Sequence, residues 1–293
     1  MTPLIANART WGEMTKFSHS LFALPYALLA AFMAAGGPPA AGQLALVVVC
    51  MVGARSAAMT FNRLVDAEID AHNPRTAGRP LPAGQISRGA AWGFFAGSSA
   101  LFLAGCALFA LAYANPWPLV LSPPVLAVVC GYSYAKRFTR AAHFVLGAAI
   151  GFSPLAAWIA ISPETLGWPA IWLSVAVTFW IAGFDLIYAC QDVEFDRRHG
   201  LFSVPAQMGV AAALWMARGC HVLTVAALLA AGRSAALGTL YFVGVGCVAL
   251  LLLIENALVS PRDLSRVNLA FFTVNGVVGV LLGTLGVLDI CLP

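Results

Sequence analysis

Apolar residues along this chain fall into long blocks, and polar residues are confined to the stretches between them. Nine blocks stand out, at about residues 18–36, 43–62, 91–112, 117–134, 143–161, 167–187, 209–231, 236–256 and 269–289. They approach or exceed the ~18–20 residues a helix needs to cross the hydrocarbon core of a bilayer. The blocks lack the two-residue alternation of a membrane β-barrel strand and the wide polar face of a helix on the surface of a soluble protein. Turn-forming stretches separate them, among them GGPPAAG, ANPWP, SPETLGWP and SPRDLSR. The pattern predicts an all-α, polytopic membrane protein of about nine transmembrane helices. No clear cleavage site follows FALPYALLAAFMAAGG, which is read as the first membrane helix.

Composition sharpens this reading. Hydrophobic residues make up 61% of the 293 and charged residues 10%, against roughly half and a quarter in a soluble domain. The few charges are placed asymmetrically. Arg9 and Lys16 precede the first block; Arg63, Arg75, Arg79 and Arg88 follow the second; Lys136, Arg137 and Arg140 the fourth; Arg197 and Arg198 the sixth; Arg262 and Arg266 the eighth. The opposite side carries Arg233. The positive-inside rule then puts the N-terminus and the basic loops in the cytoplasm, at a membrane of the bacterial inner (plasma) type. The net charge of +4 reflects this bias and points to no nucleic-acid partner. Seven scattered cysteines show no metal-ligand spacing and read as small packing residues.

The acidic residues carry the chemistry. Of twelve, seven lie in two clusters: Asp66, Glu68 and Asp70 after the second block, and Asp185, Asp192, Glu194 and Asp196 at and after the sixth. The clusters occupy corresponding places four blocks apart. This suggests one membrane domain over residues 1–293, built of two pseudo-repeated halves at about 16–140 and 141–293. Residues four apart on a helix share a face, so Asn62, Asp66 and Asp70 form one stripe about 12 Å long at ~1.5 Å per residue. Arg55, seven residues earlier, extends it inward, where an arginine needs a partner or a cavity. Asp185, Tyr188, Asp192 and Asp196 share a face if their helix continues. Facing stripes of carboxylates need a cation between them, and oxygen-only donors suit Mg²⁺ bridging carboxylates to substrate phosphates. NPRTAGRPLPAG supplies Arg75 and Arg79, and YSYAKRFTR supplies Lys136 and Arg137, as phosphate partners. A diphosphate clamp in a membrane fold implies a lipid-like tail on the diphosphate. Glu68 and Glu194 lie off the stripes and read as solvated loop charges. His19, early in the first block, faces the cavity or caps a helix end.

At these residues the chain resembles the UbiA superfamily of intramembrane aromatic prenyltransferases. NRLVDAEID is similar to that family's first aspartate motif, DLIYACQDVEFD to its second, and NPRTAGRPLPAG and YAKRFT to its basic loops. Within the family the chain looks most like 4-hydroxybenzoate polyprenyltransferases, and FSHSLFALPYAL resembles the branch that includes menaquinone enzymes of the futalosine route. The resemblance implies nine helices around a central cavity and Mg²⁺-dependent transfer of a polyprenyl group from an allylic prenyl diphosphate to a small aromatic acid in quinone biosynthesis. It implies Asn62, Asp66, Asp70, Asp192 and Asp196 as metal ligands. Asn62, Arg75, Arg79, Lys136, Arg137 and Tyr188 would contact the diphosphate. Asp66, Asp70, Asp185, Asp192 and Asp196 would be catalytic, with Arg55 and His19 toward the acceptor. Haem, chlorophyllide, homogentisate or dihydroxynaphthoate acceptors, and a secondary transporter, are the alternatives.

Overall fold

In a computed structural model, residues 3–16 and 20–292 are described, and they form helices joined by turns. An N-terminal helix α1 (Pro3–Thr15) leads to α2 (Ser20–Ala35), α3 (Ala41–His72), α4 (Arg88–Tyr113) and α5 (Trp117–Gly131), which runs on as a 3₁₀ turn at Tyr132–Arg137. Then follow α6 (Ala142–Ile161), α7 (Trp168–Ala189), a 3₁₀ turn at Cys190–Asp192, and the short α8 (Val193–Arg198) and α9 (Val204–Met208). The chain closes with α10 (Val210–Ser234), α11 (Thr239–Ala257), α12 (Val267–Leu269), a π turn at Ala270–Val274, and α13 (Asn275–Cys291). Among the described residues, eight helical runs are long and apolar enough to cross a membrane, and Phe22–Ala35 is a shorter apolar ninth. The all-α, polytopic membrane architecture and the approximate helix number agree with the sequence pattern. His19 lies outside the described residues.

Two boundaries differ usefully from the apolar pattern. The second block ends near residue 62, yet α3 runs unbroken for 32 residues to His72. At ~1.5 Å per residue it is about 48 Å long, well beyond a ~30 Å hydrocarbon core, and its last ten residues carry the first acidic motif. It stops where Pro74 follows, because proline disfavours helical geometry in the residue before it. The sixth block, by contrast, does not continue as one α-helix through its motif. Cys190 Sγ and Gln191 Nε2 donate back to the carbonyls of Leu186 and Tyr188, and the chain tightens into the 3₁₀ turn. The 3₁₀ turn therefore shifts Asp192 and Asp196 off the strict α-helical stripe through Asp185. Three residues at 3.0 per turn rather than 3.6 add about 60° of rotation between Asp185 and the two later aspartates.

The helices sort into two compact units: residues 1–20 with 48–134, and residues 21–47 with 135–293. In the first, α1 lays Met14 on Leu64, Leu81, Ile86 and Ala91, and Trp11 stacks on Phe94 at 4.6 Å between centroids. In the second, α7 is the central element, with 67% of its apolar window buried against 17% for α5 in the first unit. Gly147 and Gly151, four apart on α6, let that helix approach α7 closely; a β-carbon at either would strike Thr178. Small residues at this spacing suit helix packing in lipid. Deeper in the same unit, Trp180 Nε1 donates to Asn275 Oδ1 at 2.6 Å, and Asn275 Nδ2 donates to Glu255 Oε1 at 2.8 Å. The same amide caps the carbonyls of Ala270 and Phe271, which the π turn exposes.

Candidate active site

The first acidic motif is held on α3 by pairing with cations. Asp66 and Asp70 are 2% and 5% exposed. Two like charges one turn apart repel, and Asp70 also sits at the negative end of the helix dipole. Arg63 lies three residues before Asp66 and seven before Asp70, on the same flank. It donates to Asn62 Oδ1 at 3.1 Å and stands 3.9 Å from Asp70 Oδ2. Asn62 Nδ2 in turn donates to Asp66 Oδ2 at 3.1 Å. After Pro74 the loop folds back on the helix end. Thr76 Oγ1 and Asn73 N–H both donate to the Asp70 carbonyl, and successive turns bring Arg79 Nη1 to 2.6 Å from Asp70 Oδ2. The expected metal ligand Asp70 thus has one oxygen engaged by the expected phosphate ligand Arg79.

Cations crowd this corner. The Lys16 ammonium is held below the ordinary lysine value, first by burial and then by Arg63, Arg79 and Arg75, with Glu13 opposing. Arg55, two turns deeper than Asn62 on α3, gives one Nη2 hydrogen to the Lys16 carbonyl at 3.2 Å. Its Nε is buried with no hydrogen-bond partner. An unpaired arginine donor beneath a charged cluster can take a further oxygen acceptor.

The second motif is positioned by an imidazole and a hydroxyl. Asp185 Oδ2 lies 2.7 Å from His143 Nδ1 of α6, and His143 Nε2 receives the Val204 N–H at 3.3 Å. Asp196 Oδ2 accepts from Ser203 Oγ at 2.7 Å, with Lys136, Asp192 and His143 as its charged or titratable neighbours. Tyr188 lies against Phe271 with the rings tilted by 33° and 4.2 Å between centroids, and Phe272 is edge-on at 6.4 Å. Glu68 pairs with exposed Arg88 at 3.6 Å, and Glu194 with Arg198 one turn on, also at 3.6 Å. Both stay on the surface, as their off-stripe positions indicate.

Among the described residues, no three Asp, Glu, His or Cys side chains form a preformed metal cage. Within each motif, however, the donors at the stripe positions are all oxygens on partly or fully buried groups. That set fits Mg²⁺, which keeps several waters and is held by one or two carboxylates together with substrate phosphates rather than by an all-protein cage.

Sequence reading missed Arg63, which looks like an orientation charge beside Arg75 and Arg79 but is 6% exposed. Its heptad offset from Asp70 was a usable signal. It also missed His143, Ser203 and Asn73, which nothing in spacing or composition distinguishes.

A family model described as the UbiA prenyltransferase family matches residues 23–277. A 4-hydroxybenzoate octaprenyltransferase of Cupriavidus necator is 35% identical over 250 residues, 83% of this chain and 83% of that protein. Another, of Aliivibrio fischeri ES114, is 29% identical over 282 residues, 94% of this chain and 96% of that protein. Among solved structures, an apo UbiA homolog from Aeropyrum pernix K1 matches with a TM-score of 0.82 and 33% identity, over 92% of this chain and 98% of that one. A UbiA homolog from Archaeoglobus fulgidus bound to DMAPP and Mg²⁺ shares the fold at a TM-score of 0.70 and 21% identity, over 96% of this chain and 99% of that one.

Proposed function

Because the chain belongs to the UbiA prenyltransferase family, we propose that this membrane-embedded prenyltransferase transfers a polyprenyl group from an allylic diphosphate to 4-hydroxybenzoate, with Mg²⁺, in quinone biosynthesis. The acceptor follows the activity named for its relatives, and the Mg²⁺ follows the fold neighbour that binds it with DMAPP. The observation that carries the reading is the corner at the end of α3. There Lys16, Arg63, Arg75 and Arg79 crowd together beside buried Asp66 and Asp70. An apolar membrane helix ending in so many cations is matched to a lipid diphosphate.

In this reading Arg75 and Arg79, with Lys136, Arg137 and Tyr188, bind the diphosphate. Asn62, Asp66, Asp70, Asp192 and Asp196 supply the oxygens for metal. Bound Mg²⁺ offsets the negative charge that develops on the departing diphosphate. The bond between the prenyl carbon and the diphosphate oxygen breaks with its electron pair leaving on oxygen. The electron-rich aromatic carbon bonds to the allylic cation, and the ring then gives its proton to the departed diphosphate or to a carboxylate such as Asp185. Arg55 Nε takes the acceptor carboxylate and orients the ring. Arg63 and Arg79 are fixed by their hydrogen bonds to Asn62 and Asp70, so they stabilise developing charge with little reorganisation. The apolar helix faces keep water from trapping the cation. The positive-inside bias places these loops and the N-terminus on the cytoplasmic side.

The test is to incubate membranes containing the protein with Mg²⁺, a radiolabelled prenyl diphosphate and a panel of aromatic acids. Labelled prenyl-4-hydroxybenzoate, lost on chelation, supports the reading. Product on a dihydroxynaphthoate or homogentisate instead would reassign the acceptor, and no product with any member of the panel would overturn it.

A further inference from the structure

The segment Phe202–Val204, leading from α8 into α9, takes no part in the charge clusters, yet its three consecutive residues bond three groups at and around the second motif. Phe202 N–H donates to the Lys136 carbonyl at 2.7 Å. Ser203 Oγ donates to Asp196 Oδ2 at 2.7 Å and receives the Ala206 N–H, so the hydroxyl is oriented on both sides. Val204 N–H donates to His143 Nε2, whose ring reaches Asp185. A backbone N–H can only donate, so Nε2 presents its lone pair. The ring proton is then on Nδ1 and is given to Asp185 Oδ2. His143, Ser203 and Val204 are 4%, 5% and 1% exposed, so the strap side of these bonds is shielded from water.

We propose that Phe202–Val204 is a positioning strap for the second acidic motif, and that His143 and Ser203 are positioning residues for prenyl transfer. The need for one follows from the 3₁₀ turn at Cys190–Asp192. A continuous helix would hold Asp185 and Asp196 in register by itself. The 3₁₀ turn rotates one against the other by about 60°, and adjacent residues of the strap hold both, Ser203 directly and Val204 through His143. The strap also ties the loop that carries Lys136 to both carboxylates. This rests on the second motif being part of the transfer site.

Two variants isolate the strap. Val204 is the first residue of α9, where proline is accommodated, and Ser203 already has the extended backbone that a following proline requires (φ −130°, ψ 153°). Val204→Pro therefore removes the N–H while keeping the helix. Ser203→Ala removes the hydroxyl, and Ser203→Thr keeps it.

Nitrogen NMR of ¹⁵N-histidine-labelled protein in lipid, without substrate, should show a buried His143 protonated on Nδ1, beside the exposed His72 and His199 whose Nδ1 atoms face the carbonyls of Glu68 and Phe195. The His143 signal should vanish in His143→Asn and become a tautomer mixture in Val204→Pro. In turnover, Val204→Pro and Ser203→Ala should lower kcat about tenfold or more, with KM for the aromatic acid within about twofold, and Ser203→Thr should recover most of kcat. Mn²⁺ binding in the presence of inorganic pyrophosphate, read by electron paramagnetic resonance, should weaken in Ser203→Ala. A His143 proton found on Nε2, or wild-type kcat in Val204→Pro, would overturn the strap. If wild-type protein transfers no prenyl group, the proposed function fails, and the tautomer and Mn²⁺ measurements still decide the strap.

Discussion

The two aspartate motifs look like copies in sequence, but the molecule holds them by opposite means. The first rides on an unbroken helix that overshoots the membrane, and its buried carboxylates are balanced by full charges: Arg63 and Arg79 on Asp70, with Lys16 and Arg75 close by. The second follows a break in its helix, and its carboxylates are bonded by an imidazole and a hydroxyl. A regular helix fixes spacing by itself, so the first motif needs only charge compensation. A 3₁₀ turn changes that spacing, and the second is held by directional hydrogen bonds. The first arrangement trades on Coulomb energy and tolerates geometric slack; the second trades on geometry and adds little net charge.

The comparison breaks outright if the motifs are not both required. Asp66→Ala and Asp192→Ala should each lower kcat by about 10²–10³-fold, measured as labelled prenyl product at saturating substrates; loss in one alone would make the motifs unequal partners. Next in size is stability. Arg79→Ala leaves buried Asp70 with Arg63 alone at 3.9 Å and should cost about 3 kcal/mol, seen as a lower thermal unfolding midpoint in detergent. Ser203→Ala, which deletes one hydrogen bond to a carboxylate, should cost about 1.5 kcal/mol. Equal losses would show that the charge-paired and hydrogen-bonded motifs do not differ in kind. Smaller again, Arg55→Ala should raise KM for the aromatic acid about tenfold, in line with one charged hydrogen bond, with the KM for prenyl diphosphate nearly unchanged. Equal rises in both would remove Arg55 from the acceptor.

The smallest effect sharpens the electrostatics of the first motif. Because the folded-state pKa of Lys16 is lowered, its charged form costs stability at every pH below that lowered value. The cost fades as pH rises through the window between it and the ordinary lysine value of 10.5. Stability should therefore climb with pH across that window in wild-type protein. Lys16→Met should flatten the climb. Inorganic pyrophosphate, by supplying anionic oxygens to the crowded cations, should flatten it too. The check is the unfolding midpoint against pH for the three samples, and a climb that persists in Lys16→Met would assign it to another group.

How far the site was legible follows from the kind of signal each part leaves. Asn62, Asp66 and Asp70 were legible because a four-residue spacing on a long helix has one geometric meaning. Arg79 was legible as a cation in a proline-shaped loop, but its pairing with Asp70 was not, since that depends on how the turns from Asn73 to Ile86 stack on the helix end. Arg63 was visible and misplaced, because buried and exposed arginines look alike one residue at a time. The alignment of the second motif rested on a helix that the 3₁₀ turn interrupts. His143 lies 42 residues from Asp185 and Val204 lies 61 from His143, and no local pattern encodes such separations.

Taken alone, the chain's order of apolar blocks determined that it is a membrane-spanning helical protein. Its charge asymmetry set the expected orientation, and its two acidic runs identified the chemistry. These are one-dimensional properties: bilayer thickness and helical pitch convert them directly into structure. What only the tertiary structure decided is which polar groups meet across distant segments. That covers the arginine that neutralises Asp70, the backbone amide that sets the tautomer of His143, and the serine that holds Asp196. Such contacts arise when buried donors and acceptors must find partners in low dielectric, and packing, not spacing, chooses them.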